Sequence, residues 1–232
     1  MKKVIIGIPS KIRNRIVDND LWRRQEMVDE IRYNIIKHGG IAIMLLPSEL
    51  TYSFNESDLG DPKRLSEEEK DDLHRQADLC DGIILQGGDY SYAYEEEIAR
   101  YALEKDMPIF GICAGFNNIL RALGSNVYED KSGRHAVYDR NYRHHIRIEK
   151  DSKLYEFVGS QDYGVNSFHT MIADEERVRP FAKITARSDD GLIECYEVPD
   201  KKFAMGIKWH PELMEEEYVD RLFESFMKAC EK

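Results

Sequence analysis

With 232 residues, 42% of them hydrophobic and 33% charged, the chain has the size and composition of one folded α/β domain over residues 1–232, and its composition does not indicate disorder. The formal net charge of -11 argues against a nucleic-acid or anionic-membrane partner, because phosphate neutralisation needs clustered Lys and Arg. Cys80, Cys113, Cys195 and Cys230 are far apart and lack both the spacing of a zinc site and the density of a disulfide scaffold, so a reducing, cytoplasmic setting is expected.

In chain order, short apolar runs bounded by Gly or Pro occur at residues 4–8, 41–46, 82–85 and 108–112, as expected of central parallel strands buried on both faces. Residues 21–38, with Val28, Ile31 and Ile35 on one face and Gly39-Gly40 as a stop, predict a helix between the first two. The polar stretch 51–72 reads as a surface excursion, in which Ser66 and the glutamates after it could start a helix. Helices follow at 92–104 and from Cys113 or just after it, where Phe116, Ile119, Leu120 and Leu123 recur at helical spacing. Strands alternating with helices predict a doubly wound sheet. Beyond residue 126 the segments 144–149, 182–187, 192–198 and 203–209 read as antiparallel or edge strands. An amphipathic helix carrying Val219, Leu222, Phe223 and Phe226 closes the chain.

Three segments carry chemistry. Gly111-Ile112-Cys113-Ala114-Gly115 places a cysteine between glycines where a buried strand turns into a helix, the geometry of a nucleophile elbow. A helix N-terminus beneath the sulfur favours the thiolate, and the amide after it is free to bind an oxyanion. Trp209-His210-Pro211-Glu212 ends a strand-like run, and Pro211 pushes His210 toward extended geometry, in which Glu212 falls on the same side. A carboxylate on one imidazole nitrogen leaves the other to accept the thiol proton. Gln86-Gly87-Gly88-Asp89 follows a buried strand, where the glycine turn offers a second oxyanion donor; it has neither the Lys-Ser/Thr of a phosphate loop nor a third dinucleotide-binding glycine.

The order of glycine turn, elbow cysteine and His-Pro-Glu resembles the class I glutamine amidotransferase-like, flavodoxin-like fold. Val165-Asn166-Ser167-Phe168-His169, Gly191-Leu192-Ile193-Glu194 and Gly206-Ile207-Lys208-Trp209-His210-Pro211-Glu212 resemble the γ-glutamyl-γ-aminobutyrate hydrolase family, over nearly the whole chain. The resemblance implies hydrolysis of a small γ-glutamyl amide through a thioester on Cys113, with His210 shuttling the proton and Glu212 orienting it. It implies an oxyanion hole from amides near Gly88 and Ala114, and substrate contacts from Asn117, Asn166, Ser167, Phe168 and His169. The family has arginine directly after the nucleophile and glutamine four residues after it; here those positions are Ala114 and Asn117.

No cofactor and no metal are expected. His135, His144 and His145 invite a metal reading, but neighbours on a strand point to opposite faces, so at most one of the pair could join His135. Tyr90, Tyr92 and Tyr94 either line the leaving-group side of the pocket or pack against neighbouring loops. The basic run 11–15 reads as a solvated face that could steer an anionic substrate. Two rivals stand beside the hydrolase: a glutaminase subunit delivering ammonia to a separate synthetase partner, and a non-catalytic binding protein on the same fold. A homo-oligomer is compatible with each.

Overall fold

The computed structural model describes residues 2–17, 20–51, 54–55 and 65–231. In chain order the elements are β1 Ile5–Pro9, β2 Lys11–Val17, β3 Asp20–Glu26, α1 Asp29–Lys37, β4 Ile41–Leu45, β5 Phe54–Asn55, α2 Glu67–Ala77, β6 Gly82–Leu85, β7 Ser91–Tyr92, α3 Ala93–Glu104, β8 Ile109–Ile112 and α4 Ala114–Ala122. They continue with β9 Tyr128–Glu129, β10 His144–Ile148, α5 Lys153–Val158, β11 Asp162–Val165, β12 Met171–Ile172, α6 Glu175–Val178, β13 Lys183–Ser188, β14 Ile193–Glu197, β15 Ala204–Ile207, a 3-10 turn Pro211–Leu213 and α7 Glu217–Ala229.

The main sheet runs β11-β10-β13-β14-β15-β8-β6-β1-β4. From β15 to β4 every pairing is parallel, whereas from β11 to β15 every pairing is antiparallel. Alternation along the strands divides the core in two. Ile6, Ile8, Ile84, Phe110 and Ile112 face a layer built from α1, α5 and α7, while Ile83, Leu85 and Ile109 face α2, α3 and α4. Burial on both faces explains why the parallel strands read as unbroken apolar runs.

Three expectations need correction. The helix expected over 21–38 is split: its first part is β3, paired in antiparallel register with β2 from Lys11↔Glu26 to Val17↔Asp20. Leu-Trp-Arg-Arg-Gln-Glu has helix-forming side chains, but the hydrogen bonds of a strand partner outweigh that propensity. The run 203–209 yields β15, a central strand parallel to β8, because it lies between the two halves of the sheet. The run 41–46 yields β4, which is the sheet edge and leaves Ile41 and Met44 exposed. In the excursion, residues 52–53 and 56–64 lie outside the described ones, but Ser66 starts α2 through a capping box with Glu69. Among the described residues no helix is long and apolar enough to cross a membrane.

Candidate active site

β8 ends at Ile112 and α4 begins at Ala114, so Cys113 alone makes the turn, at φ 54° and ψ -100°. A non-glycine residue held there stores roughly 1–3 kcal/mol of strain. The flanking glycines permit it. A Cβ on Gly111 would lie 2.5 Å from the Gly115 carbonyl oxygen, and one on Gly115 would lie 2.2 Å from the Leu85 carbonyl oxygen. The sulfur therefore sits at the N-terminus of α4, at the carboxyl end of the parallel strands, where Ala114 N–H is among the first amides of the helix and has no acceptor within it.

The His210 side chain faces the Cys113 thiol, and its Nδ1 lies 2.7 Å from Glu212 Oε1. The His-to-Glu contact arises on the 3-10 turn that Pro211 opens, rather than along an extended strand. Burial pushes the Cys113 thiol up, but the charge and hydrogen bond of His210 outweigh it and leave the thiol below its ordinary value. Burial pushes His210 down, but the facing Glu212 and Cys113 raise it well above its ordinary value. Both shifts lower the cost of moving the thiol proton to the imidazole.

The ring of His210 rests on the glycine turn after β6, where a Cβ on Gly87 would lie 2.5 Å from Cε1. Asn166 fixes its backbone: Asn166 Nδ2 donates to the His210 carbonyl and Asn166 Oδ1 accepts from the His210 N–H, both at 2.8 Å. Asn166 and Ser167 are fully buried, and Ser167 Oγ donates to the His135 carbonyl at 2.7 Å. Gly88, Ala114, Asn117, Phe168 and His169 do line one cavity of about 170 Å³ with Cys113, whereas Asn166 and Ser167 stand behind its wall. Phe168 also sets its edge against His210, with ring centroids 5.3 Å apart.

Several residues here carry no flag in the sequence. Arg121 lines the cavity, is almost wholly buried and pairs with Glu96 at 3.4 Å. It lies seven residues beyond Ala114 on α4, two turns along the same helix face, which is the signal that could have found it. Lys208 is fully buried, donates to Asn117 Oδ1 at 2.6 Å and to the Met171 carbonyl at 2.7 Å, and is pushed down to about 8 by burial. Lys11, expected on a solvated face, is buried against Glu95 at 2.7 Å and donates to the Tyr90 carbonyl at 2.9 Å, which anchors the loop after Gly88. Of the three tyrosines, Tyr90 borders the cavity, while Tyr92 and Tyr94 are buried and stack at 5.3 Å.

A second histidine grouping lies beside the cavity. His144 turns inward on β10 while His145 is exposed, and His135, His144 and His169 all face Glu194 of β14. Burial pushes the Glu194 carboxyl up, but the three facing rings hold it well below the usual carboxylate range.

Comparison with solved structures places this architecture among glutamine amidotransferase-like folds. The glutaminase domain of a Trypanosoma brucei CTPS, solved with bound acivicin, matches 98% of this chain and 94% of its own, with a TM-score of 0.67 and 17% identity. A putative GMP synthase subunit from Thermoplasma acidophilum matches 99% and 95%, with a TM-score of 0.64 and 15% identity. By sequence, the Peptidase C26 pattern matches residues 92–212, more than half of the chain, and the chain belongs to that family. The γ-glutamyl-γ-aminobutyrate hydrolase PuuD of Escherichia coli (strain K12) is 32% identical over 149 residues, which are 58% of this chain; the chain spans 58% of the length of that relative. A GMP synthase (glutamine-hydrolyzing) subunit from Methanosarcina barkeri is 32% identical over 163 residues, 67% of this chain and 77% of that protein.

Proposed function

We propose that this chain is a cysteine-dependent hydrolase of small γ-glutamyl amides. The observation that carries the reading is Cys113 strained at the elbow and facing His210, whose Nδ1 is held by Glu212 at 2.7 Å. The Cys113 thiolate attacks the γ-carbonyl carbon, and the amides of Gly88 and Ala114 hold the oxyanion. The C–N bond breaks as His210 hands its proton to the departing amine, leaving a γ-glutamyl thioester. His210 then takes a proton from water, the hydroxide attacks the thioester, the C–S bond breaks, and glutamate leaves with the thiolate restored.

Arg121 supplies the charge that the family's arginine after the nucleophile would bring, and Asn117, held by Lys208, supplies a polar wall. Asn166 and Ser167 then act on the substrate only through His210 and the cavity wall. The similarity to the Escherichia coli hydrolase supports the γ-glutamyl specificity. Free thiols at all four cysteines suit the reducing cytoplasm. A screen of γ-glutamyl amides, glutamine included, tests the reading, with mass spectrometry for an adduct on Cys113. Cys113→Ala is expected to abolish turnover, and retained hydrolysis in that variant rejects the mechanism.

A second reading draws on the Methanosarcina barkeri protein, of which this chain covers 77%. In it the same triad hydrolyses glutamine and passes ammonia to a separate synthetase. Glutaminase activity that rises several-fold on adding a partner favours that reading; activity indifferent to partners favours the first.

A further inference from the structure

Glu194 is fully buried, and neither of its oxygens has a hydrogen-bond partner among the described residues. His135 Nδ1 and His169 Nε2 stand 3.4 Å from Oε1, and His144 Nε2 stands 3.9 Å from it. His144 Nε2 and both ring nitrogens of His169 are likewise buried without hydrogen bonds. Charge-assisted hydrogen bonds close to about 2.7–2.9 Å, and buried polar groups are ordinarily satisfied. Glu194, His144 and His169 thus converge without bonding, and His135 Nδ1 has only a long 3.3 Å contact with Ser167 Oγ beside them.

Their spacing suits another geometry. Donors at about 2.0–2.1 Å from a zinc ion lie about 3.3–3.4 Å from one another around a tetrahedron. The ligand atoms of His135, His144 and Glu194 all lie within 4.8 Å of one another. The arrangement around them is also that of a metal centre. His135 turns its other nitrogen, Nε2, toward Asp190, 3.3 Å from each carboxylate oxygen, and Asp190 is itself held by Ser188 Oγ at 2.5 Å. A carboxylate behind a ligating imidazole fixes its tautomer and aims its free lone pair.

We propose that His135 Nδ1, His144 Nε2 and the Glu194 carboxylate bind one divalent transition-metal ion of the zinc class, with His169 on the side that faces the Cys113 cavity. Nitrogen and oxygen donors without a thiolate suit Zn²⁺ and its Co²⁺ and Ni²⁺ relatives. The ion ties the loop before Tyr138 to β10 and β14, and so sets the wall on which His169 stands. It takes no part in acyl transfer, and the site stands whichever amide the triad cleaves.

The test strips the full-length protein with a chelator, titrates it with Zn²⁺ or Co²⁺, removes free metal and measures bound metal by elemental analysis. The wild type is expected to retain one equivalent, with the visible absorption of low-coordinate Co²⁺ and a raised melting temperature. Cys113→Ser and His145→Ala should bind as the wild type does, which separates this centre from the catalytic cysteine. His144→Ala and Glu194→Gln should lose the ion, and Asp190→Asn should weaken binding about 10–100-fold. A wild type that retains no metal overturns the proposal without any variant having to fold. So does loss of the ion in Cys113→Ser, or wild-type binding by His144→Ala.

Discussion

Two histidine–carboxylate groupings flank one cavity, one behind Cys113 at the end of the parallel half of the sheet and one behind His169 in the antiparallel half. In the first, His210 and Glu212 meet at 2.7 Å, a short charge-assisted bond that fixes a tautomer. In the second, three imidazoles stop 3.4–3.9 Å from Glu194 and leave both of its oxygens unbonded. The residue types are the same, so composition does not separate them. Distance does: a closed pair moves protons, whereas an open ring of lone pairs presents a space for a cation.

The sharpest probe of this contrast is the reactivity of the thiols. His210 holds the Cys113 thiol below its ordinary value, while burial pushes Cys80 and Cys230 up to about 12 and Cys195 well above its ordinary value. Iodoacetamide at neutral pH is therefore expected to modify Cys113 alone, with peptide mapping as the readout. Equal labelling of Cys195, on β14 beside Glu194, would break the distinction between the halves. Next in size is Glu212→Gln, which leaves His210 without its carboxylate. It should cut kcat about 10²–10⁴-fold with little change in KM, and also lower the His210 pKa, pulling in the alkaline limb of the pH profile. Steady-state kinetics across pH reads both.

The smallest contrast compares one methyl group in the two halves. Gly87→Ala puts a Cβ 2.5 Å from the His210 ring and should cost about 10²-fold in rate through a displaced base. Gly164→Ala, on β11, meets the Arg143 side chain no closer than 3.5 Å and should change stability by less than about 0.5 kcal/mol. Rate measurements and thermal melts on the pair separate a displaced His210 ring from a general loss of stability.

Much of the catalytic side is legible in the sequence because local rules determine it. Glycines at 111 and 115 allow the elbow, and Pro211 opens the turn that brings Glu212 back to His210. The second grouping is hidden because its members come from distant segments that only strand register brings together. Which of His144 and His145 points inward depends on pairing with Val165 and Gly164, and no periodicity within residues 144–148 reveals it. The same holds for β3, whose residues read as helix until β2 pairs with them. Arg121 was within reach, since a seven-residue step from Ala114 keeps the same helix face. Lys11 was not, because its buried partner Glu95 lies 84 residues away.

Asn166 gives the architecture a consequence of its own. Its carboxamide meets the backbone of His210 with one donor and one acceptor, as a neighbouring peptide group would, so a side chain from beyond the edge strand β11 bridges to the turn after β15. His210, the base of the proposed mechanism, is thereby held twice, its ring by Glu212 and its main chain by a residue just beyond β11. A displacement of β11 therefore reaches the main chain of His210 directly through this carboxamide, beside the route through the pairing of β14 with β15.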